Sequence, residues 1–155
     1  MRYMSILPCS TEDYYGFSVV VAVSGCSHQC EGCWSKASWR YTEGTEFTEE
    51  TYQTLLALAK PDHISSIVWQ GGDPLFHKNY KAVIEISRRL KKDLPNKKIV
   101  LFTGFTLWQI ESDFLRAPIL NTIDVLVDGK YEKDNPTTKP FRGSDNQRLI
   151  VLSQG

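Results

Sequence analysis

Apolar residues along the chain fall into two alternating patterns. Residues 17–23 form a short apolar run rich in valine, which predicts a strand buried on both faces. Runs at 64–69, 99–102, 123–127 and 148–152 predict four further strands. Helical periodicity lies between them. In 48–60, Tyr52, Leu55, Leu56 and Ala59 share one face. Thr48 caps that helix, Glu49 and Glu50 suit the positive end of its dipole, and Pro61 stops it. In 79–94, Tyr80, Val83, Ile84, Ser87 and Leu90 point inward, with Pro95 beyond the end. A third helix opens with a capping box, Thr106 with Gln109, and a staple of Phe105 on Ile110; it ends before Pro118. Residues 1–16 predict irregular chain or a short edge strand. Residues 34–41 predict a helical turn and loop, with Trp39 in the core.

Strand, glycine-containing loop and helix repeat in that order. The alternation predicts an α/β fold: a parallel sheet of about five strands with right-handed helical crossovers. Ligands of such sheets sit at the carboxyl ends of the strands. Every unusual motif falls there: S-G-C after the first strand, G-G-D-P after the second, T-G after the third and V-D-G after the fourth.

Composition narrows the partners. A chain of 155 residues predicts one domain. Lys plus Arg equals Asp plus Glu at 18 each, which argues against a nucleic-acid protein driven by phosphate neutralisation. No apolar run approaches the roughly 18 residues of a membrane span. The first residues lack the charged-then-apolar pattern of an export signal. Together with clustered cysteines, that predicts a reducing cytoplasm. The basic run Arg88, Arg89, Lys91 and Lys92 lies at a helix C-terminus and reads as a solvated face.

The chemistry concentrates at Cys26, Cys30 and Cys33, spaced C-x3-C-x2-C. Three thiolates so close can wrap one compact cluster, and thiolate is the usual ligand of iron–sulfur centres. Three ligands on a four-iron cube leave one iron open for chemistry. A zinc-stabilised binding domain is the alternative, with His28 or Cys9 as fourth ligand, although zinc ligands usually come in spaced pairs. Four cysteines with three in one loop make a poor disulfide framework. Cys9 reads as a small buried hydrophobe rather than a ligand, and His28 as an exposed residue without a required role. Gly71 and Gly72 let backbone approach a ligand closely.

These residues resemble a known family. Cys26-x3-Cys30-x2-Cys33 resembles the cluster loop of radical S-adenosylmethionine (SAM) enzymes, and Gly71-Gly72-Asp73 resembles their G-G-E motif with Asp for Glu. Read on through Pro74 and Leu75, it is similar to the activating enzymes of glycyl-radical enzymes. Asp124-Val125-Leu126-Val127-Asp128-Gly129 and Gly143-Ser144-x-Asn146-Gln147-Arg148 are similar to segments of the activases of anaerobic (class III) ribonucleoside-triphosphate reductases. The resemblance runs from about residue 17 to 152.

It implies a single radical SAM domain over 1–155, an incomplete radical SAM β/α barrel. Cys26, Cys30 and Cys33 would hold a [4Fe–4S] cluster, and SAM would chelate the fourth iron. Reductive cleavage of SAM would then generate a glycyl radical on the large subunit of the reductase. Flavodoxin or ferredoxin would donate the electron, and the chain would form a homodimer or a heterotetramer with the reductase. Gly71, Gly72 and Asp73 would hold the methionine moiety. Where many members carry an aromatic residue before the last cysteine, this chain has Gly32. Backbone of Gly32, Cys33 and Trp34 would serve instead, with the Trp34 ring packing nearby. Thr103, Gly104 and Asp128 are further pocket candidates, although Asp128 equally suits a helix cap. An incomplete barrel would leave a lateral opening for the partner's glycine loop. An activase of pyruvate formate-lyase or of another glycyl-radical enzyme is the alternative within the same chemistry.

Overall fold

The computed structural model describes residues 1–28, 30 and 39–152. The elements run β1 (Arg2–Ser10), β2 (Phe17–Val23), β3 (Thr45–Glu46), α1 (Glu49–Ala59), β4 (Ile64–Gly71), α2 (Tyr80–Asp93), β5 (Lys98–Phe102), α3 (Leu107–Glu111), a 3-10 turn (Ala117–Asn121), β6 (Val125–Asp128) and β7 (Arg148–Val151). They build one seven-stranded sheet in the order β3-β1-β2-β4-β5-β6-β7. The four central strands, β2, β4, β5 and β6, are parallel. No helix among the described residues is long and apolar enough to cross a membrane.

The sheet departs from the expected five parallel strands at both edges. Residues 2–10 form a strand antiparallel to β2, with Tyr3 opposite Val23 and Ser10 opposite Ser18. Register shifts between Tyr3 and Ser5 and between Leu7 and Ser10 break its alternation, so its sequence does not read as a strand. Pro8 is tolerated because β3 covers β1 only at Arg2 and Tyr3. At the other edge β7 runs antiparallel to β6, with Asp128 opposite Arg148. The connection 129–147 is turns and extended chain, without the helix that carries a parallel crossover.

Capping behaves largely as expected. Thr48 accepts from the Thr51 amide, although the reciprocal partner is the Thr51 hydroxyl rather than a glutamate. At α3, Gln109 donates its amide to Thr106 and accepts from the Thr106 amide at 2.9 Å. That helix is only five residues long. Asp113 caps a new turn by accepting from the Leu115 amide, and Pro118 sits inside the 3-10 turn.

The parallel strands are buried on both faces, as their valine-rich sequences require. On one face Val19, Val21, Ile67, Trp69, Ile99 and Leu101 pack under α1 and α2. The buried Trp69 indole donates to Ser87 Oγ of α2 at 3.0 Å. On the other face Val20, Val68, Val100 and Val125 lie under Tyr14 and Phe141. Burial raises the pKa of the Tyr14 phenol above its ordinary value. Trp39, expected in the core, is only half-buried. With helices on one face and two loops on the other, the carboxyl ends of β2, β4, β5 and β6 are left to form a site.

Candidate metal centre

The ladder between β2 and β4 continues past the strands. Gly72 donates its amide to Val23 O at 2.8 Å, and Asp73 donates to Gly25 O at 2.7 Å. The loops after β2 and β4 are thereby zipped at their roots. Gly71 makes this possible. Its φ is +103°, and a Cβ there would fall 2.5 Å from Val23 N. Asn79, fully buried beneath the two loops, donates to Ser24 O at 2.8 Å and to Asp73 O at 3.1 Å. The Ser24 hydroxyl donates to Glu43 O, and the Cys26 amide donates to Trp39 O.

Above these roots a cavity is lined by Cys26, Cys30, Gly71, Gly72, Asp73 and Thr103, with Gly104 and His28 at its wall. The structure thus gathers both described cysteines of the motif and the glycine pair around one space. Gly32, Cys33 and Trp34 lie outside the described residues. Among the described residues no three of His, Cys, Asp and Glu converge as a metal set; the motif's third thiol belongs to the undescribed stretch. Gln70, Tyr131 and Gln147 also line the cavity; Gln147 lies in the 143–148 segment that carries the resemblance, whereas Gln70 and Tyr131 are not among the candidate residues.

Asp73 is 1 % exposed, and its carboxylate is directed into the protein loops. Oδ1 accepts from the Leu75 amide and the Thr103 hydroxyl, both at 2.8 Å, and Oδ2 accepts from the Gly104 amide at 2.9 Å. Asp73 and Thr103 therefore line the cavity while bonded to each other. Asp128 takes the helix-cap role: it accepts from the Leu107 amide at 2.7 Å and pairs with Arg148 at 2.8 Å. Its neighbours Val127 and Gly129 line the cavity instead.

Two expectations need correction. The His28 side chain is 7 % exposed and lies with Nε2 2.7 Å from Asp73 Oδ2. Loop residues carry no periodicity from which an inward turn could be read. Cys9 is exposed. It sits by the start of β2, where Ser10 faces Ser18, at the opposite end of that strand from Cys26. It therefore cannot complete a set with the cysteine loop.

A larger cavity, about 780 Å³, is elsewhere. It lies around Ile64 and Lys98, at the starts of β4 and β5, and holds none of the candidate residues. Its Lys97 ammonium is taken by the carbonyls of Pro61 and Ile64.

The sequence matches the 4Fe-4S single cluster domain family over residues 14–150. It is 38% identical to the anaerobic ribonucleoside-triphosphate reductase-activating protein of Enterobacteria phage T4, covering 100% of this chain and 97% of that protein. The proteins of the same name from Pasteurella multocida and Escherichia coli K12 are 34% and 31% identical. The first alignment spans 99% of each chain; the second spans 95% of this chain and 96% of its relative. On the strength of these full-length matches, the chain belongs to the family of anaerobic ribonucleoside-triphosphate reductase-activating proteins, built on a 4Fe-4S single cluster domain.

Proposed function

We propose that this chain activates an anaerobic ribonucleoside-triphosphate reductase as a radical SAM enzyme. Cys26, Cys30 and Cys33 would hold a [4Fe–4S] cluster, and the loops after β4 and β5 would hold SAM. The observation that carries the reading is that Cys26 and Cys30 face one cavity with Gly71 and Gly72. The residues fit such a group. Both thiols are partly exposed at the carboxyl end of a parallel sheet, and the adjoining glycines present backbone without side chains. The cluster and SAM, when bound, supply the one-electron chemistry that removes a hydrogen atom from a glycine of the reductase.

The chain's own contribution is placement. Main-chain bonds fix the roots of the cysteine and glycine loops, and the Asp73 carboxylate fixes the loop after β5 to them. Four parallel strands support the reading of a single domain built as an incomplete β/α barrel. The partner's glycine loop would enter at its open side. A flavodoxin- or ferredoxin-type electron donor, a cytoplasmic setting and a homodimer or heterotetramer with the reductase go with this reading. The relatives named above all activate that reductase by name, which selects it over pyruvate formate-lyase and other glycyl-radical enzymes. The matched family is described by a 4Fe-4S cluster, which selects iron–sulfur over zinc.

The test is anaerobic reconstitution with iron and sulfide, reduction and addition of SAM. Formation of 5′-deoxyadenosine is expected, followed by a glycyl-radical EPR signal once the reductase is added. Cys26→Ala, Cys30→Ala and Cys33→Ala should each abolish both, while Cys9→Ala keeps them. A four-iron protein that leaves SAM intact, or a Cys9→Ala variant as damaged as Cys30→Ala, would overturn the reading.

A further inference from the structure

The cysteine and glycine loops are joined by main-chain bonds at their roots, and further along the cysteine loop, at His28, the contact is made by a side chain. His28 stands two residues from Cys26 and two from Cys30. Its ring lies flat against Gly104: a Cβ at that glycine would fall 2.5 Å from the imidazole Cδ2. The ring also meets Phe105 edge-on, with centroids 4.7 Å apart. Nε2 lies 2.7 Å from Asp73 Oδ2, yet it has no hydrogen-bond partner of good geometry. The close contact holds the ring against the carboxylate. The same carboxylate binds Leu75, Thr103 and Gly104. Loops after β2, β4 and β5 therefore meet on one carboxylate, and among the described residues His28 brings a side chain of the cysteine loop to it.

We infer that His28 is a positioning residue, which fixes the turn between Cys26 and Cys30 relative to the loops at 71–75 and 103–105. It thereby sets where the metal centre stands with respect to the SAM site, an inference that rests on the radical SAM reading above. His28 need not bind iron or SAM to do this. The small residue at Gly104 belongs to the same device, since any side chain there would push the imidazole off Asp73. Two consequences separate this role from simple filling of space. The thiols are untouched, so loss of His28 should spare cluster loading and impair the response to SAM. A side chain that returns a nitrogen to the Nε2 position should also restore much of the function, and glutamine reaches about that far.

The test compares wild type, His28→Ala, His28→Gln and Gly104→Ala. Iron and sulfide content, SAM affinity and the SAM-induced change in the cluster EPR spectrum are measured on the anaerobically reconstituted proteins. Hydrogen exchange is measured on the metal-free proteins. His28→Ala should keep wild-type iron content but bind SAM at least about tenfold more weakly, the usual size of a supporting-residue effect. His28→Gln should recover most of that loss, and Gly104→Ala should resemble His28→Ala. In metal-free His28→Ala the Gly104 amide should exchange faster, while core amides such as that of Ile67 stay protected. The inference is overturned if His28→Ala binds SAM as wild type does, if it loses the cluster, if alanine and glutamine are equally impaired, or if protection is lost throughout. Failure of the radical SAM reading shows differently, as a wild-type protein that takes up no cluster or does not respond to SAM.

Discussion

Replacing Asp73 by asparagine exchanges one carboxylate oxygen for an amide nitrogen at nearly constant shape. In the native site Oδ1 receives the Leu75 amide and the Thr103 hydroxyl, while Oδ2 receives the Gly104 amide and faces His28 Nε2. An asparagine can serve only one of these sides. With its oxygen at the Oδ1 position, its NH2 points at the Gly104 N–H and at His28. Flipped, it opposes the N–H of the fully buried Leu75. Either way one backbone donor loses its acceptor, which costs about 1–3 kcal/mol, and the remaining bonds lose the strength that a charged acceptor gives. The sum is roughly 2–4 kcal/mol. In a chain of this length each kcal/mol is worth about 2–4 °C in Tm, so a fall of roughly 4–16 °C is expected. The assay is thermal unfolding of the metal-free protein followed by circular dichroism, anaerobically and with reductant, so that no ligand contributes. Exposed Asp62 supplies the control: Asp62→Asn should stay within about 0.5 kcal/mol of wild type. The reasoning is refuted if metal-free Asp73→Asn melts with wild type and shows its defect only in SAM binding. The carboxylate would then act on the ligand rather than on the loops.

Gly71→Ala forces a side chain onto a φ of +103° and within 2.5 Å of Val23 N, so a loss of at least about 2 kcal/mol in urea unfolding is expected; unfolding at the wild-type midpoint would contradict it. Ser87→Ala strips the buried Trp69 indole of its acceptor and should cost about 1–3 kcal/mol by the same measurement. Hydrogen bonds from Arg89 and then Gln53 hold the Glu49 carboxyl down at about 2, from an ordinary 4.5. Because the folded pKa is the depressed one, this support for the α1–α2 contact is present above pH 4.5 and is lost as pH falls from 4.5 through about 2. Both partners are exposed, so the Tm gap between wild type and Glu49→Gln should be small at pH 7 and shrink in high salt. It should close across that acidic window, and a gap that widened on acidification would refute the assignment.

The parts of the fold that could be read from the sequence are those whose signal is local. Strands β2, β4 and β5 carry compact apolar runs at 19–23, 67–69 and 99–102, and α1 and α3 carry their caps beside them. The cysteine spacing is legible for the same reason, since chelation by neighbours in a loop depends on local reach. What escaped depends on partners distant in the chain. Strand β1 is bulged and contains Pro8, so only its pairing with β2 makes it a strand. The direction of β7 follows from the absence of a helix in 129–147, a feature visible in the sequence but outweighed by the repeat before it. His28 turns inward because Gly104, some seventy-five residues later, leaves room for its ring. The Asp73 carboxylate is buried at the cavity wall because Thr103 and Gly104 offer it donors.

The site begins where the hydrogen bonding of the sheet ends. Val23 pairs with Gly71 in the last register of β2 and β4, and two further amide bonds carry the ladder to Gly25 and Asp73. The next residue along the cysteine loop is Cys26, the first thiol. The backbone on either side of the cavity is thus placed by the sheet, and the glycines stand where the loops approach too closely for a Cβ. At Gly25 a Cβ would meet the Phe76 ring at 2.7 Å, and at Gly71 it would meet Val23 N at 2.5 Å. A cofactor entering such a site inherits its geometry and need not organise it, which lowers the ordering cost of binding. On the proposed reading, affinity for SAM should therefore depend also on the residues that hold the loops in place: Asn79 and Asp73 from inside the protein, and His28 against Gly104.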